Sequence, residues 1–299
     1  MLSTRLIASV PLVLAALFAF FWPGWPGALC FGLLAAAFMV AAVLELSALT
    51  AAMGCGVPAG RGVIFGLLLL VSAAFSRRYG LYGATAMHAW DALIVVGYML
   101  AAFSGLFRHG PDRDALVRRF VGIGVFMYVC WALSFVAKLY FEAGLAPAGR
   151  YLAFYLIAVT KLTDVGAFAV GTLTARRAGG NHKLAPALSP KKSWEGLAGG
   201  LVAGAVAAVV LLLLLPGGLQ FAGVRVLGFR GAVLFGVLVA LLGLAGDLAE
   251  SVLKRVAGVK DSGRLPGLGG VLDVMDSLMF TAPVFYCYVR LVQVGALAP

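Results

Sequence analysis

Long apolar runs, each near or above 18 residues, occupy most of this chain and leave only short polar connections between them. A run of this length can cross a bilayer as a helix, in which every backbone polar group is satisfied within the segment. The composition agrees, because 63% of the 299 residues are hydrophobic and 12% are charged. We therefore predict an all-α, polytopic integral membrane protein with about nine transmembrane helices. The predicted spans are residues 5–22, 28–53, 62–76, 83–107, 120–141, 150–173, 196–215, 231–253 and 271–294.

The connections between these spans carry unequal positive charge. With nine spans, the N-terminus and the four connections on its side carry 15 lysines and arginines, against 5 on the opposite side. The positive-inside rule then predicts a cytoplasmic N-terminus and a cytoplasmic position for the two charge-rich loops, residues 174–195 and 254–270. The expected location is the cell inner (plasma) membrane, crossed several times.

The formal net charge of +11 bears on the class of partner. The lysines and arginines adjoin the predicted spans and do not form one basic face with interleaved aromatic residues, so no nucleic acid partner is expected. Anionic headgroups of the membrane bilayer and nucleotide phosphates are the expected partners. The four cysteines are isolated in or beside apolar runs, which predicts core residues and not a metal site or a disulfide.

A few polar residues interrupt the apolar spans of the first half. Glu45 lies in the second span, and His88 and Asp91 lie in the fourth. Intramembrane acids are costly unless they are paired or functional, and here we favour pairing between helices over a catalytic role. Lys138 lies near the outer end of the fifth span, so we expect its ammonium group to snorkel to the interface.

Two charges lie near the middle of the sixth span. Lys161 and Asp164 are three residues apart, and on a helix they can neutralise one another. An internal ion pair is one interpretation, and a polar site inside the bundle is the other. The loop that follows favours the site, because residues 189–195, SPKKSWE, combine a fixed turn, paired lysines and a helix start. Ser193 is expected to cap that helix, and helix N-termini with adjacent lysines bind phosphate oxygens.

The most highly charged stretch is residues 243–277, between the last two spans. Its acids on the eighth span follow the spacing of one helical face, and two further acids begin the ninth. Clustered carboxylates without histidine or cysteine ligands favour Mg²⁺, and lysines with a Gly-rich loop favour polyphosphate. This predicts nucleotidyl or phosphoryl transfer at the membrane face. Neither GxxxxGK[ST] nor GxSxG occurs, which argues against a P-loop kinase and an α/β-hydrolase.

The same stretch carries a family resemblance. Its elements GD-x-x-ES-x-x-KR, KDSG, PG-x-GG and D-x-x-DS, within residues 246–277, resemble the C-terminal signature of the CDP-diacylglycerol synthases, or phosphatidate cytidylyltransferases. The segments TDVGAFAVG and NHKLAPALSPKKSWEGLAGG, within residues 163–200, resemble the second conserved region of that family. The resemblance implies transfer of CMP from CTP to phosphatidate in phospholipid biosynthesis, giving CDP-diacylglycerol and pyrophosphate, with Mg²⁺ as cofactor.

The resemblance also implies roles for particular residues. The residues with an implied catalytic role are Asp247, Lys254, Lys260, Asp261, Asp273 and Asp276, of which Asp247, Asp273 and Asp276 would hold the metal. The residues with an implied substrate-binding role are Asp164, Ser189, Lys191, Lys192, Glu195, Ser251, Arg255, Gly267, Gly269 and Gly270. We accordingly divide the chain into N-terminal transmembrane helices, residues 1–110, and a C-terminal transmembrane catalytic region, residues 111–299.

Some positions depart from the family pattern. Leu268 stands where the family usually has histidine, Val274 and Thr172 stand where it usually has arginine, and the loop after KDSG is one residue shorter. The retained carboxylates and lysines predict an active but divergent enzyme with a cytoplasmic active site. A cytidylyltransferase for another lipid phosphate, or a non-catalytic membrane paralogue or transporter, is the alternative. A homodimer is left open.

Overall fold

Helices make up almost all of the regular structure of this protein, as expected where backbone groups must be satisfied without water. The computed structural model describes residues 2–76, 81–110, 112–142, 145–177, 179–215, 217, 219–221, 224–263 and 270–297. Its helices are α1 (Leu2–Phe21), α2 (Trp25–Ala52), α3 (Ala59–Ser76), α4 (Leu81–His109), α5 (Arg113–Val125), α6 (Ala132–Phe141), α7 (Gly149–Ala175), α8 (Trp194–Leu214), α9 (Phe229–Val256) and α10 (Val271–Gln293). A π-helical segment, Phe126–Trp131, joins α5 to α6.

The helices correspond to the predicted spans, with α5, the π-helical segment and α6 forming one span together. Seven segments among the described residues are long and apolar enough to cross a membrane. The other two predicted spans correspond to α1, whose apolar part is the shorter Val10–Phe21, and to α10, which carries Asp273 and Asp276 near its start. The predicted fold class is confirmed, and the chain is a multi-pass membrane protein.

Two short antiparallel hairpins lie between the helices. In the first, Lys183 lies opposite Ser193 and Ala185 opposite Ser189, with an irregularity between the two pairs. The strands are β1 (Lys183–Ala185), β2 (Ser189–Ser193), β3 (Gln220–Phe221) and β4 (Val224–Arg225). The β1–β2 hairpin belongs to the charged loop 174–195, so the predicted substrate-binding residues of that loop lie on regular structure.

The chain divides into two compact units. The first unit comprises Met1–Ala146 and Leu253–Met275, and the second comprises Pro147–Val252 and Asp276–Pro299. In the first unit, α3 packs against α2, α4 and α6. Stacked rings join its helices, with centroids 3.9 Å apart for Phe31 and Tyr140. The division of the chain between residues 110 and 111 stays a prediction.

A buried ion pair lies inside the first unit and corrects one prediction. Lys138 is only 2% exposed, and its Nζ lies 2.7 Å from Asp91 Oδ2 and 4.0 Å from the ring centroid of Phe135. The prediction that Lys138 snorkels is wrong, because all ten residues of α6 are buried and no face of that helix leads to an interface. The prediction that Asp91 pairs with a neighbouring helix is confirmed.

In the second unit, α7 and α8 pack along their length. Buried glycines recur every fourth residue on α8, at Gly196, Gly200 and Gly204, and small residues at this spacing let membrane helices approach closely. The Tyr155 hydroxyl of α7 donates a hydrogen bond to the Ala208 carbonyl of α8, at 3.0 Å. Apolar packing and a close backbone approach therefore fix the helices from which the candidate site is built.

Candidate active site

A cavity of about 550 Å³ lies in the second unit, bounded by α7, the β1–β2 hairpin, the start of α8, and α9. Ligand cavities commonly have volumes of roughly 300–1,000 Å³. Residues predicted from separate stretches of the sequence line it together. These are Asp164, Ser189, Lys191, Lys192 and Asp247. The fold thus brings together five residues with an implied catalytic or substrate-binding role.

The β1–β2 hairpin and the start of α8 form one wall. The Gly196 N–H donates to Ser193 Oγ at 3.0 Å, so Ser193 caps α8 as predicted. Glu195 accepts hydrogen bonds from the backbone N–H of His182, at 3.1 Å to either carboxylate oxygen, and lies 2.6 Å from its ring Nδ1. Glu195 therefore ties the segment before β1 to the first turn of α8, which holds the lysines of β2 beside the cavity.

Three carboxyl groups converge on the hydroxyl of Ser277. Its Oγ lies 2.9 Å from Asp247 Oδ1, 3.2 Å from Asp276 Oδ1 and 3.3 Å from Asp164 Oδ2. One hydroxyl has one proton, so it can donate to only one of these carboxylates at a time. We call Asp164, Asp247, Asp276 and Ser277 the acid cluster. It is assembled from α7, α9 and α10.

Two lysines border the acid cluster. Lys161 Nζ lies 3.0 Å from Asp164 Oδ2, and Lys192 Nζ lies 2.5 Å from Asp247 Oδ2. Two of the three carboxyl groups of the acid cluster, those of Asp164 and Asp247, thus each contact one ammonium group. The predicted pairing of Lys161 with Asp164 is confirmed. The pair also borders a polar site, so both interpretations of the sixth span, an ion pair and a polar site, apply.

A glycine allows the acids of α9 and α10 to meet. A Cβ on Gly246 would lie 2.3 Å from the backbone oxygen of Asp276, which no side chain could tolerate without a shift of the helices. Glycine permits this backbone approach. The carboxylate of the next residue, Asp247, consequently lies beside the other members of the acid cluster.

The acid cluster fits a hard divalent cation by its chemistry. Within the described ranges, no three histidine, cysteine or acidic side chains form a complete metal-binding group. Mg²⁺ does not need one, since it is usually held by one or two carboxylates together with water and substrate phosphates. A donor set consisting only of carboxylate and hydroxyl oxygens suits Mg²⁺. Asp247 and Asp276 fit the predicted metal role, and Asp164 fits it as well.

Asp273, the third predicted metal ligand, belongs to the first unit and has a different environment. Its carboxylate pairs with Lys254 and accepts hydrogen bonds from Ser262 Oγ at 3.1 Å and from the Gly270 N–H at 2.9 Å. Two residues with an implied catalytic role, Lys254 and Asp273, are thereby brought together.

The chain also matches known proteins. The cytidylyltransferase family matches residues 3–292. This chain belongs to the cytidylyltransferase family. It is 31% identical to a phosphatidate cytidylyltransferase of Brucella suis over 306 aligned residues, which cover 96% of this chain and 93% of the relative. The predicted family is confirmed.

Other relatives match a shorter part of the chain. A phosphatidate cytidylyltransferase of Haemophilus influenzae is 40% identical over 141 residues, covering 46% of this chain and 45% of the relative. The uncharacterized protein YnbB of Escherichia coli is 40% identical over 144 residues, covering 48% of this chain and 43% of the relative. In both comparisons the match spans less than half the length of the relative.

The remaining residues implied by the family resemblance take part in none of the contacts described above or lie outside the described ranges. Arg255, Lys260 and Asp261 are exposed at the end of α9 and on the segment after it, and Ser251 is half-buried on α9. Gly267 and Gly269, with the departure at Leu268, lie outside the described residues.

Sequence reasoning did not assign roles to several residues of this family member. Ser277 is at the centre of the acid cluster, and its signal was its place in D-x-x-DS, directly after Asp276. Lys183 lines the cavity from β1. Glu45 contacts the start of α10, a contact that no spacing within one segment could reveal because the two segments are 226 residues apart.

Proposed function

We propose that this protein transfers CMP from CTP to phosphatidate, giving CDP-diacylglycerol and pyrophosphate. The observation that carries the proposal is the arrangement of the cavity, where the lysines of β2 stand beside the acid cluster. Membership of the cytidylyltransferase family and the names of the Brucella and Haemophilus relatives, both phosphatidate cytidylyltransferases, support the same reaction.

The cavity suits both substrates in chemical character. Lys191 and Lys192 offer ammonium groups to phosphate oxygens, and the start of α8 adds the positive end of a helix dipole. Phe168, Leu197 and Leu244 provide apolar lining in the same cavity. A cavity with cationic and apolar parts fits a nucleotide triphosphate and a phosphate ester that carries lipid chains.

In the proposed reaction, an oxygen of the phosphatidate phosphate forms a bond to the α-phosphorus of CTP. The bond from that phosphorus to the oxygen bridging to the β-phosphate breaks, and pyrophosphate leaves with the electron pair. A phosphate monoester carries about −1.5 to −2 charges at pH 7, so its attacking oxygen needs no general base. Lys192 orients the phosphates next to Asp247. Mg²⁺ would be held by Asp247 and Asp276, with Asp164 as a further candidate, and when bound it would neutralise negative charge on the phosphates. The metal role of Asp273 stays a prediction.

We propose that the site faces the cytoplasm from the cell inner membrane. The asymmetry of lysines and arginines between the two sets of connections supports this orientation. In a cysteine-free background, a cysteine at Gly179 is expected to react with an impermeant maleimide only from the cytoplasmic side, and a cysteine at Gly217 only from outside. The reverse pattern would contradict the proposed orientation.

The activity is tested with purified, detergent-solubilised protein, CTP labelled at the α-phosphate, and phosphatidate. We expect labelled CDP-diacylglycerol only when phosphatidate and Mg²⁺ are both present, and none after chelation with EDTA. A panel of other lipid phosphates tests whether the acceptor is a lipid phosphate other than phosphatidate. Val274 favours this alternative, because it stands where the family usually has the cation of an arginine. Turnover with another lipid phosphate alone would replace phosphatidate as the substrate, and no turnover with any of them would contradict the enzyme proposal.

A further inference from the structure

The first turn of α10 follows a glycine. The residue before its first turn is Gly270, which has no side chain to accept hydrogen bonds from the first N–H groups. A carboxylate from α2 takes this role: the Val271 N–H donates to Glu45 Oε1 at 2.9 Å, and the Leu272 N–H donates to Glu45 Oε2 at 2.8 Å. Glu45 thus binds two backbone donors with its two oxygens, where the helix dipole favours negative charge.

Two glycines make room for this carboxylate. A Cβ on Gly263 would lie 2.2 Å from Glu45 Oε1, and a Cβ on Gly270 would lie 2.7 Å from Glu45 Oε2 and 1.9 Å from Ser262 Oγ. At both positions a side chain would force its neighbours to shift. At Gly270 the atoms in the way belong to Ser262, to Glu45 and to the backbone of Gly263, whose nitrogen would lie 2.8 Å from the Cβ. The N–H of Gly270 is donated to Asp273.

A hydroxyl connects the Glu45 carboxylate to Asp273. Ser262 Oγ lies 3.3 Å from Glu45 Oε2 and 3.1 Å from Asp273 Oδ2. Asp273, the third residue of α10, reaches back to the N–H of Gly270, as the third residue does in a capping box. Glu45, Ser262 and Asp273 form one connected network in the first unit.

We propose that Glu45 is a positioning residue for the transfer reaction: it fixes the first turn of α10 and thereby the carboxylate of Asp273 and its partner Lys254. The expected effect of Glu45 on turnover rests on the proposed function, whereas the capping of α10 by Glu45 does not. Glu45 acts through Asp273 and contacts no substrate itself.

The test is Glu45→Gln, which keeps the shape of the side chain but turns an NH₂ group toward one of the two backbone N–H donors. Hydrogen bonds to charged groups contribute roughly 1.5–3 kcal/mol, so the Val271 and Leu272 amides should exchange with solvent about tenfold faster or more. Turnover number should fall by a similar factor, with the KM for CTP within about threefold, because the lysines that bind CTP are on β2. Glu45→Asp keeps the charge and should recover part of both losses.

A matched control is Asp91→Asn combined with Lys138→Met, which alters another intramembrane acid of the same unit without touching α10. It should leave the exchange of Val271 and Leu272 unchanged. If Glu45→Gln does not fold, Ser262→Ala serves instead, because it cuts the connection to Asp273 while leaving both backbone hydrogen bonds of Glu45. Ser262→Ala should lower the turnover number with little change in melting temperature.

The outcomes separate the two proposals. Unchanged amide exchange in Glu45→Gln would overturn the capping role, and faster exchange with an unchanged turnover number would reduce Glu45 to a stabilising contact. Full activity of Ser262→Ala would overturn the connection to Asp273. If the wild-type protein showed no cytidylyl transfer, the proposed function would fail, but the exchange measurement would still decide whether Glu45 positions α10.

Discussion

Two lysine–aspartate pairs of this protein differ in exposure. In the first unit, the side chains of Lys138 and Asp91 are 3% and 11% exposed. In the second unit, those of Lys192 and Asp247 are 20% and 30% exposed, and both residues line the cavity. The first pair is closed to any ligand, whereas the second is open to one.

The two pairs also differ in how charge is balanced. Lys138 and Asp91 lie 2.7 Å apart as one cation and one anion. Asp247 belongs to the acid cluster, whose three carboxyl groups are bordered by two lysines, one on Asp164 and one on Asp247. An enclosed and balanced pair serves folding, while a cluster that reaches the cavity through Asp164 and Asp247 and has more carboxyl groups than lysines beside it can accept a further cation. The comparison indicates that accessibility and charge balance, and not the presence of charge in a membrane helix, mark the functional site.

The largest effect is expected from Asp247→Asn, which removes a charge from the acid cluster while keeping the shape of the side chain. Preorganised electrostatic groups contribute roughly 10²–10³-fold to turnover, so we expect a loss of at least that size. Melting temperature in detergent should change little, because Asp247 is partly exposed. Cytidylyl transfer at saturating Mg²⁺ is the measurement, and a turnover number within a few-fold of wild type would remove Asp247 from the metal role.

The opposite pattern is expected from Asp91→Ala, which leaves the ammonium group of Lys138 buried without its carboxylate. Breaking a buried pair in this way costs about 3–5 kcal/mol of stability. The double variant Asp91→Leu with Lys138→Met should regain most of that loss, because no charge then remains buried. Unfolding in detergent with increasing denaturant measures both. An Asp91→Ala protein of normal stability but low turnover would place this pair with the functional groups and break the comparison.

The sequence allowed the helices and three of the four residues of the acid cluster to be predicted. Apolar length is a local property, so each predicted span corresponds to a helix, and the motif D-x-x-DS pointed to Asp276. The burial of Lys138 could not be predicted, because an apolar run does not reveal whether one face or all faces of a helix are covered. Ser277 was missed and the partner of Glu45 could not be named for a related reason: the contacts come from helices 113 and 226 residues away. The predicted pairing of Glu45 with another helix is confirmed.

A smaller effect is expected from Lys192→Gln, which sharpens the comparison by removing the cation from the accessible pair. Charge-assisted contacts contribute roughly 1.5–3 kcal/mol, so the KM for CTP should rise about 10- to 100-fold. Lys191→Gln is the matched control, because Lys191 is an exposed neighbour on the same strand and should have a weaker effect. Equal effects of the two substitutions would mean that Lys192 acts only through general positive charge.

The smallest effect is expected from Glu195→Gln, whose contact with His182 is more exposed than the two lysine–aspartate pairs. Its partner His182 is 89% exposed, so water competes for the contact and little free energy depends on it. The carboxylate nevertheless ties the segment before β1 to the start of α8, so its loss should affect the binding of CTP. Because exposed pairs contribute little free energy, we expect the KM for CTP to rise only about two- to fivefold. His182→Gln should have an effect no larger than this, since its backbone N–H still reaches Glu195.

The double variant should be no worse than Glu195→Gln alone, because both substitutions weaken the same contact. Additive effects would show that Glu195 acts on the substrate by another route, and a loss as large as that of Asp247→Asn would contradict the link between exposure and function on which the comparison rests.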